Sequence, residues 1–513
     1  MNTKRSLRRP FALASLLALF VAGCSGGSYQ SAAKMAEEPM SPAQYAVADT
    51  AASAAPNTEA YADYGVNPFI DAEKDRFSTF AIDVDTASYA ISRRKLNEGS
   101  LPPLAAVRVE EFVNAFDYQY AAAKDAPFAV HLAAAPSPYQ AGHHVLRVGL
   151  QAKRPSARER VPAHLVYLVD TSGSMQSADK LGMVKKSLRM LTDHLKPGDT
   201  VAICTYAGDT REVLAPTGID DKDKILDAID ELSSGGGTAM ASGMENAYAL
   251  ASRTLKKGHI NRVIVLSDGD ANIGSASHEQ ILDSIAKYKD QGITMSTVGV
   301  GNGNYKDTMM EQLANKGDGN YFYIDGEDEA KKVFVDQLDS MLEVVAKDVK
   351  VQIEFDPKLV KRYRLIGYEN RDVADKDFAN DKVDGGEVGA GHSVTALYDI
   401  ELAEGASSKS LVTARVRYKA PEGGESKELA VTMDPKGFVN EFGDAPRDFR
   451  LATAIAGFAD TLRGAPAAPG LDEVLVIAKK ASNESKAESE LVGLIEKAMK
   501  LGAPRKRAQI AKG

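Results

Sequence analysis

Three rhythms of apolar and polar positions follow one another along the chain. Between residues 66 and 158 the pattern is mixed. FSTFAIDVD, Phe77 to Asp85, reads as a strand, and TASYAISRRKLNEG reads as a helix closed by Gly99. Val109, Phe112, Val113 and Phe116 fall at helical spacing. Phe128, Val130 and Leu132 then alternate, as do Leu146, Val148 and Leu150, which predicts two strands. From 163 to 345 the apolar runs LVYLV, TVAICTYA, RVIVLS, TMSTVGV and YFYI are nearly continuous, as strands covered on both faces must be. Helical faces separate them: Leu181, Val184, Leu188, Leu191 and Leu195 mark one, and Ile225, Ile229 and Leu232 another. This alternation predicts a doubly wound, mostly parallel sheet. From 348 to 440 the period becomes two. Val349, Val351, Ile353 and Phe355 alternate with Lys350, Gln352 and Glu354, and Val412, Ala414, Val416 and Tyr418 with Thr413, Arg415 and Arg417. That is the signature of an antiparallel β-sandwich. Helical spacing returns between 445 and 505, at Leu451, Ile455, Phe458 and Leu462 and again at Leu491, Leu494, Ile495 and Ala498. The fold class expected is therefore α/β plus β. Strands before residue 155 are candidates to pair with strands after 348, which would make the α/β domain an insertion in one sandwich.

The first residues read differently. Lys4, Arg5, Arg8 and Arg9 precede the apolar run of residues 11 to 22, which is too short to span a bilayer. The run ends in VAGC, which resembles the lipobox of bacterial lipoproteins. That resemblance implies a signal peptide over 1–23, cleavage before Cys24 and lipid on its thiol. Residues 24–65 are rich in Ala, Ser, Pro and Glu and read as a flexible tether with a reach of about 35 Å. The expected location is the bacterial cell envelope, anchored to the membrane through the lipid and facing the periplasm or the surface. Ser25, a residue other than Asp after the cysteine, favours the outer membrane over the inner. The other cysteine, Cys204, lies in the apolar VAIC and reads as core. The fold must then be held by its core without a disulfide, which 513 residues permit. The balance of 62 basic against 71 acidic residues, net charge -9, argues against nucleic acid as a partner.

The chemistry is concentrated where LVYLV runs out. In DTSGSM, Asp170, Ser172 and Ser174 stand two apart, so in an extended loop they point the same way. In an open α/β sheet, ligands collect beyond the carboxyl ends of the strands. Two further strand ends offer Thr238, in the Gly-rich GGGTAM, and Asp268, in VLSDGD. Hydroxyl and carboxylate oxygens suit a hard divalent cation. D-x-S-x-S, then Thr, then Asp, resembles a von Willebrand factor A (VWA) domain with a metal-ion-dependent adhesion site, over roughly 163–345. The resemblance implies that Ser172, Ser174 and Thr238 give hydroxyl oxygens and that Asp170 and Asp268 hold the ion largely through water. It implies Mg²⁺, with Mn²⁺ and Ca²⁺ also admissible, and an open position for an acidic residue of a partner protein. No member of the set is an evident general base or nucleophile, so the site is expected to bind and not to catalyse. Asp270 and Asn272 read as turn residues beside it. FSTFAIDVDTASYA, LPPLAAVRVEEFVNAF and DFRLATAIAGFADTLRG resemble the flanks of bacterial A-domain lipoproteins of the YfbK type, extending the likeness to about residues 66–505. That resemblance implies an architecture and no substrate.

Other motifs are weighed against it. DVDT, Asp83 to Thr86, follows a strand as the D-x-D of haloacid-dehalogenase phosphatases does, but Ala87 replaces their Thr or Val. Asp85 or Thr86 as a helix N-cap is the simpler reading. GVGNGNYKD, from Gly299, lacks the lysine of a phosphate loop and reads as a loop at the rim of the metal face. The leading expectation is an envelope lipoprotein binding a macromolecule through Mg²⁺. The alternatives are a scaffold with a purely structural metal and a Mg²⁺-dependent phosphatase using Asp83 and Asp85.

Overall fold

The computed structural model describes residues 58–123, 126–154, 160–269, 278–406, 410–466 and 468–506, with backbone alone for 278–280. Strands β1 (Ile70–Asp71) and β2 (Phe77–Ala81) lead into helices α1 (Ala87–Asn97) and α2 (Val109–Asn114), then into strands β3 (Phe128–Pro136) and β4 (His143–Ala152). The α/β region follows as β5 (Ala163–Asp170), α3 (Met183–Asp193), β6 (Thr200–Tyr206), β7 (Thr210–Gly218), α4 (Lys222–Asp230), α5 (Met240–Thr254), β8 (Ile260–Ser267), α6 (His278–Lys289), β9 (Thr294–Val300), α7 (Asp307–Lys316) and β10 (Tyr321–Ile324). Short helices α8 (Glu327–Lys331) and α9 (Leu338–Leu342) lead to β11 (Val344–Phe355), β12 (Val360–Ile366), β13 (Gly386–Gly389), β14 (Ser393–Leu402), β15 (Val412–Lys419) and β16 (Lys427–Thr432). Helices α10 (Arg447–Leu462), α11 (Leu471–Ala481) and α12 (Lys486–Lys500) complete the described chain.

The central sheet has the order β10-β9-β8-β5-β6-β7, parallel from β10 to β6 with β7 antiparallel at the edge. Its apolar runs are continuous because both faces are covered. Leu165, Tyr167 and Val169 of β5 pack in one helix layer with Val184, Leu188 and Leu191. Val166 and Leu168 pack in the other with Met244, Tyr248 and Val265. Cys204 lies in this second layer, fully buried, and burial pushes its thiol up to about 12.

The two remaining sheets are built from both flanks of that domain. One runs β1-β12-β14-β4-β3, with β4 against β14 so that Leu150 faces Val394. The other runs β13-β11-β15-β16, with β2 also on β11 so that Phe80 faces Val351. Their inner faces share one core, including Phe80, Val148, Val351, Phe355, Tyr398 and Val416. Strands before residue 155 therefore pair with strands after 343, and the α/β domain is inserted between them. Helices α1 and α2 share a second core with α10, α11 and α12, where the Phe112 and Phe458 rings meet edge to face at 6.1 Å. The spans 66–158, 348–440 and 445–505 are thus interleaved and not successive modules, because strand pairing and helix docking are non-local and leave no trace in local periodicity.

One boundary moves. Residues 58–65 were expected in the tether, yet they dock on the domain. The amides of Thr58 and Ala60 donate to the carbonyls of Gly303 (2.7 Å) and Tyr305 (3.0 Å). Glu59 meets Arg94 at 2.8 Å and Lys95 at 2.7 Å. The signal peptide, Cys24 and the tether up to residue 57 lie outside the described residues. Among the described residues, no helix is long and apolar enough to cross a membrane.

Candidate metal-ion site

The parallel register brings the strand ends together. Asp170 is in register with Tyr206 of β6, and Val169 with Leu266 of β8, so Ser267 and Asp268 follow beside Asp170. Asp170 is fully buried. Its Oδ1 accepts the Ser172 amide at 2.9 Å, and its Oδ2 accepts the hydroxyls of Ser267 at 2.8 Å and Tyr206 at 3.1 Å. Burial pushes this carboxyl above its usual range, the Ser172 and Ser267 donors pull it back, and the nearby Asp268 adds to the rise. These donors fix the carboxylate and, through the Ser172 amide, the loop that follows.

In that loop Ser172 is buried and Ser174 half-buried, with their Oγ atoms 3.0 Å apart. Adjacent ligands of an octahedral ion with bonds near 2.1 Å are separated by about 3.0 Å, so the pair fits an edge of a Mg²⁺ shell. The Gly-rich loop is laced onto this one. The Gly173 amide donates to the Gly236 carbonyl at 3.1 Å and the Gly235 amide to the Thr171 carbonyl at 2.8 Å. Gly236 has φ +87°, and a Cβ there would come within 3.2 Å of the Gly208 amide nitrogen, so side chains would hold the loops apart. Half-buried Thr238 follows, and the Ala239 amide ties its far side to the Ala207 carbonyl at 2.7 Å.

Asp268 is fully buried. Its Oδ2 accepts the Lys180 ammonium at 2.9 Å and the Asn304 amide at 3.3 Å, and Lys180 also donates to Asn304 Oδ1 at 2.9 Å. Lys180, Asn304 and Tyr206 belong to none of the sequence motifs that mark the site. Tyr206 was signalled by its place at the end of a strand beside β5. Lys180 and Asn304 carry no periodicity, and only the fold brings them to Asp268. Asp270 and Asn272 lie outside the described residues.

Similarity to known proteins gives the family of the chain. The model described as "von Willebrand factor type A domain" matches residues 164–336. One described as "von Willebrand factor" matches 55–147, and one described as "Uncharacterized protein YfbK, C-terminal" matches 340–501. The Escherichia coli (strain K12) protein YfbK is 39% identical over 436 residues, covering 80% of this chain and 75% of that protein. This chain belongs to the YfbK-like von Willebrand factor A family. A second relative, protein sll0103 of Synechocystis sp., is 23% identical over 291 residues, covering 56% of this chain and 68% of that protein. The solved structure "von Willebrand factor type A from Catenulispora acidiphila" aligns at 16% identity with a TM-score of 0.44, covering 72% of this chain and 89% of that one.

The other acidic groups of this YfbK-like chain have different work. Asp83 and Asp85 line a cavity of about 280 Å³ beside the VWA domain, but each is only 3% exposed. Arg371 stands 3.2 Å from Asp83 and 3.3 Å from Asp85, and Asp85 Oδ1 accepts the Tyr321 amide at 2.9 Å. Burial, then the charge of Asp83, hold the Asp85 carboxyl well above the usual range. The pair therefore fastens β2 and α1 to the VWA domain through Arg371 and β10. Of the two expected cap residues, the structure has Thr86. Thr86 occupies the N-cap position of α1 without a side-chain cap bond, and Glu111 accepts the Ser88 amide there at 2.7 Å. Among the described residues, Asp318, Asp384 and Glu387 bring ligand oxygens within 4.8 Å of one another. Lys289 stands 2.9 Å from Asp318 and 3.6 Å from Asp384, so this cluster reads as an ion-pair knot between the VWA domain and the β13 region.

Proposed function

We propose that the VWA domain binds another macromolecule, a protein of the cell envelope, through Mg²⁺ held by Ser172, Ser174 and Thr238, with Asp170 and Asp268 behind them. The observation that supports this most is the 3.0 Å hydroxyl pair at the mouth of the sheet. Both carboxylates are drawn back into bonds with the protein's own donors. When bound, the ion supplies an electrophilic position that an external carboxylate can fill; Mn²⁺ and Ca²⁺ are chemically admissible substitutes. Neutral hydroxyls as direct ligands leave most of the ion's charge unquenched, which favours an acidic residue on the partner. In this reading Cys24 carries lipid in the outer membrane, and the tether ends at residue 57, next to the docked strap at Thr58.

The test compares covalent capture of envelope proteins by the wild type and by an Asp170→Ala, Ser172→Ala variant of confirmed fold, each in Mg²⁺ and in EDTA. The proposal expects partners held by the wild type in Mg²⁺ and lost in EDTA and in the variant. The same partners in all four samples would overturn it and leave a scaffold whose metal, if any, is structural.

A further inference from the structure

We infer that Lys180 is a built-in counter-cation of the metal site, balancing Asp268 in the ion-free domain and weakening the site's hold on a divalent ion. The inference rests on the metal-site reading above. Lys180 lies ten residues after Asp170, in the wide turn Ala178–Gly182 that precedes α3. The lysine is 8% exposed and Asp268 not at all, so their 2.9 Å contact is a buried ion pair. The contact is also built. Asn304 bonds both the ammonium and the carboxylate. Gly301, at φ +74°, lies under the lysine stem, where a Cβ would overlap its methylenes. A side chain at residue 301 would therefore displace the lysine or the loop.

Charge decides the consequence. Asp170 and Asp268 together carry two negative charges, and the serine and threonine ligands add none. With Lys180 on Asp268, an entering divalent ion meets a net charge of about one negative, and both cations draw on the same carboxylate. The ion is then held less tightly than two unshared carboxylates would hold it. In exchange, the ion-free domain never leaves Asp268 as an uncompensated buried charge, which is the costly state. The loaded site keeps a net positive charge, which suits an anionic ligand from outside. Lys180 thus makes the ion dispensable for folding and exchangeable in use.

The experiment measures Mn²⁺ affinity by electron paramagnetic resonance, and thermal midpoints in EDTA and in Mn²⁺, for the purified protein. Lys180→Met removes the charge and the donors. Lys180→Gln removes the charge while keeping an amide to bond Asp268. Both are expected to bind Mn²⁺ about ten-fold tighter than the wild type. Both should melt lower in EDTA and gain more from Mn²⁺, so that affinity and ion-free stability move in opposite directions. Unchanged or weaker Mn²⁺ binding in both variants would overturn the inference and leave Lys180 a positioning residue. A wild type that binds no Mn²⁺, or binding untouched by Asp170→Ala with Ser172→Ala, is a separate failure: it removes the metal site itself, and the inference with it.

Discussion

Tyr206 shows how much of the site is carried by residues outside the five candidates. Its hydroxyl is one of three donors on Asp170, and it sits where the parallel register sets β6 beside β5. Tyr206→Phe keeps the ring and removes the donor, and is expected to cost about 1.5–3 kcal/mol, the range for a hydrogen bond to a charged group. Denaturant unfolding measures this. Glu110 makes a different prediction. Burial, then the charges of Glu369 and Asp83, push its carboxyl up to about 7, and its Oε1 is buried without a hydrogen-bond partner. Because its pKa is raised in the folded state, its contribution to stability is fully present below the unfolded value near 4.5. That contribution is lost as pH rises through about 7. Glu110→Gln should therefore gain on the wild type by about 3 kcal/mol between pH 4.5 and 8, read from unfolding curves across that range. At this scale the placement of the five candidate residues was legible, since each sits at a strand end or in a glycine loop marked by composition. Lys180, Asn304 and Arg371 were not, because their roles are contacts between segments far apart in sequence.

At the scale of elements, the strap of residues 58–65 is the most informative. Glu59 accepts the Gly303 amide at 2.9 Å and pairs with Arg94 and Lys95, so it pins the loop that presents Asn304 to Asp268. Burial alone would push its carboxyl up; Lys95, the Gly303 amide and Arg94 outweigh it and hold it near 2. Glu59→Ala leaves two buried cations without their partner and is expected to cost about 3 kcal/mol. Hydrogen exchange should then quicken in residues 301–306. Unchanged protection there would mean that the strap holds only itself. Nothing periodic marks this segment, because it binds through backbone groups, one carboxylate and the single ring of Tyr61, and the composition of the tether runs into it. Strands β5, β6, β8 and β9 were legible for the opposite reason: burial on both faces makes their sequences apolar throughout.

At the scale of the molecule, the α/β domain is a loop of the sandwich, entered after β4 and left before β11. The flanks that pair with each other, Phe80 with Val351 and Leu150 with Val394, are about 250 residues apart in sequence. Period-two alternation identifies such strands without naming their partners, which is why the sandwich was legible as a class and its pairing only as a candidate. Helices α10 and α12 likewise announced one apolar face each, but not α11 between them, nor that α1 and α2 cover those faces. The resulting frame holds both ends of the VWA domain and leaves the carboxyl edge of its sheet to the loops that carry Asp170, Ser172, Ser174, Thr238 and Asp268.

On this reading the carboxyl edge takes a divalent ion and offers it to an acidic partner. The most direct measurement is Mn²⁺ titration of the purified protein followed by electron paramagnetic resonance, with and without acetate as a model carboxylate. The expected result is an Mn²⁺ site that is lost in Asp170→Ala with Ser172→Ala, and a signal from the bound ion that changes when acetate enters its shell. Mn²⁺ binding that survives the double substitution, or a bound ion indifferent to acetate, would contradict it.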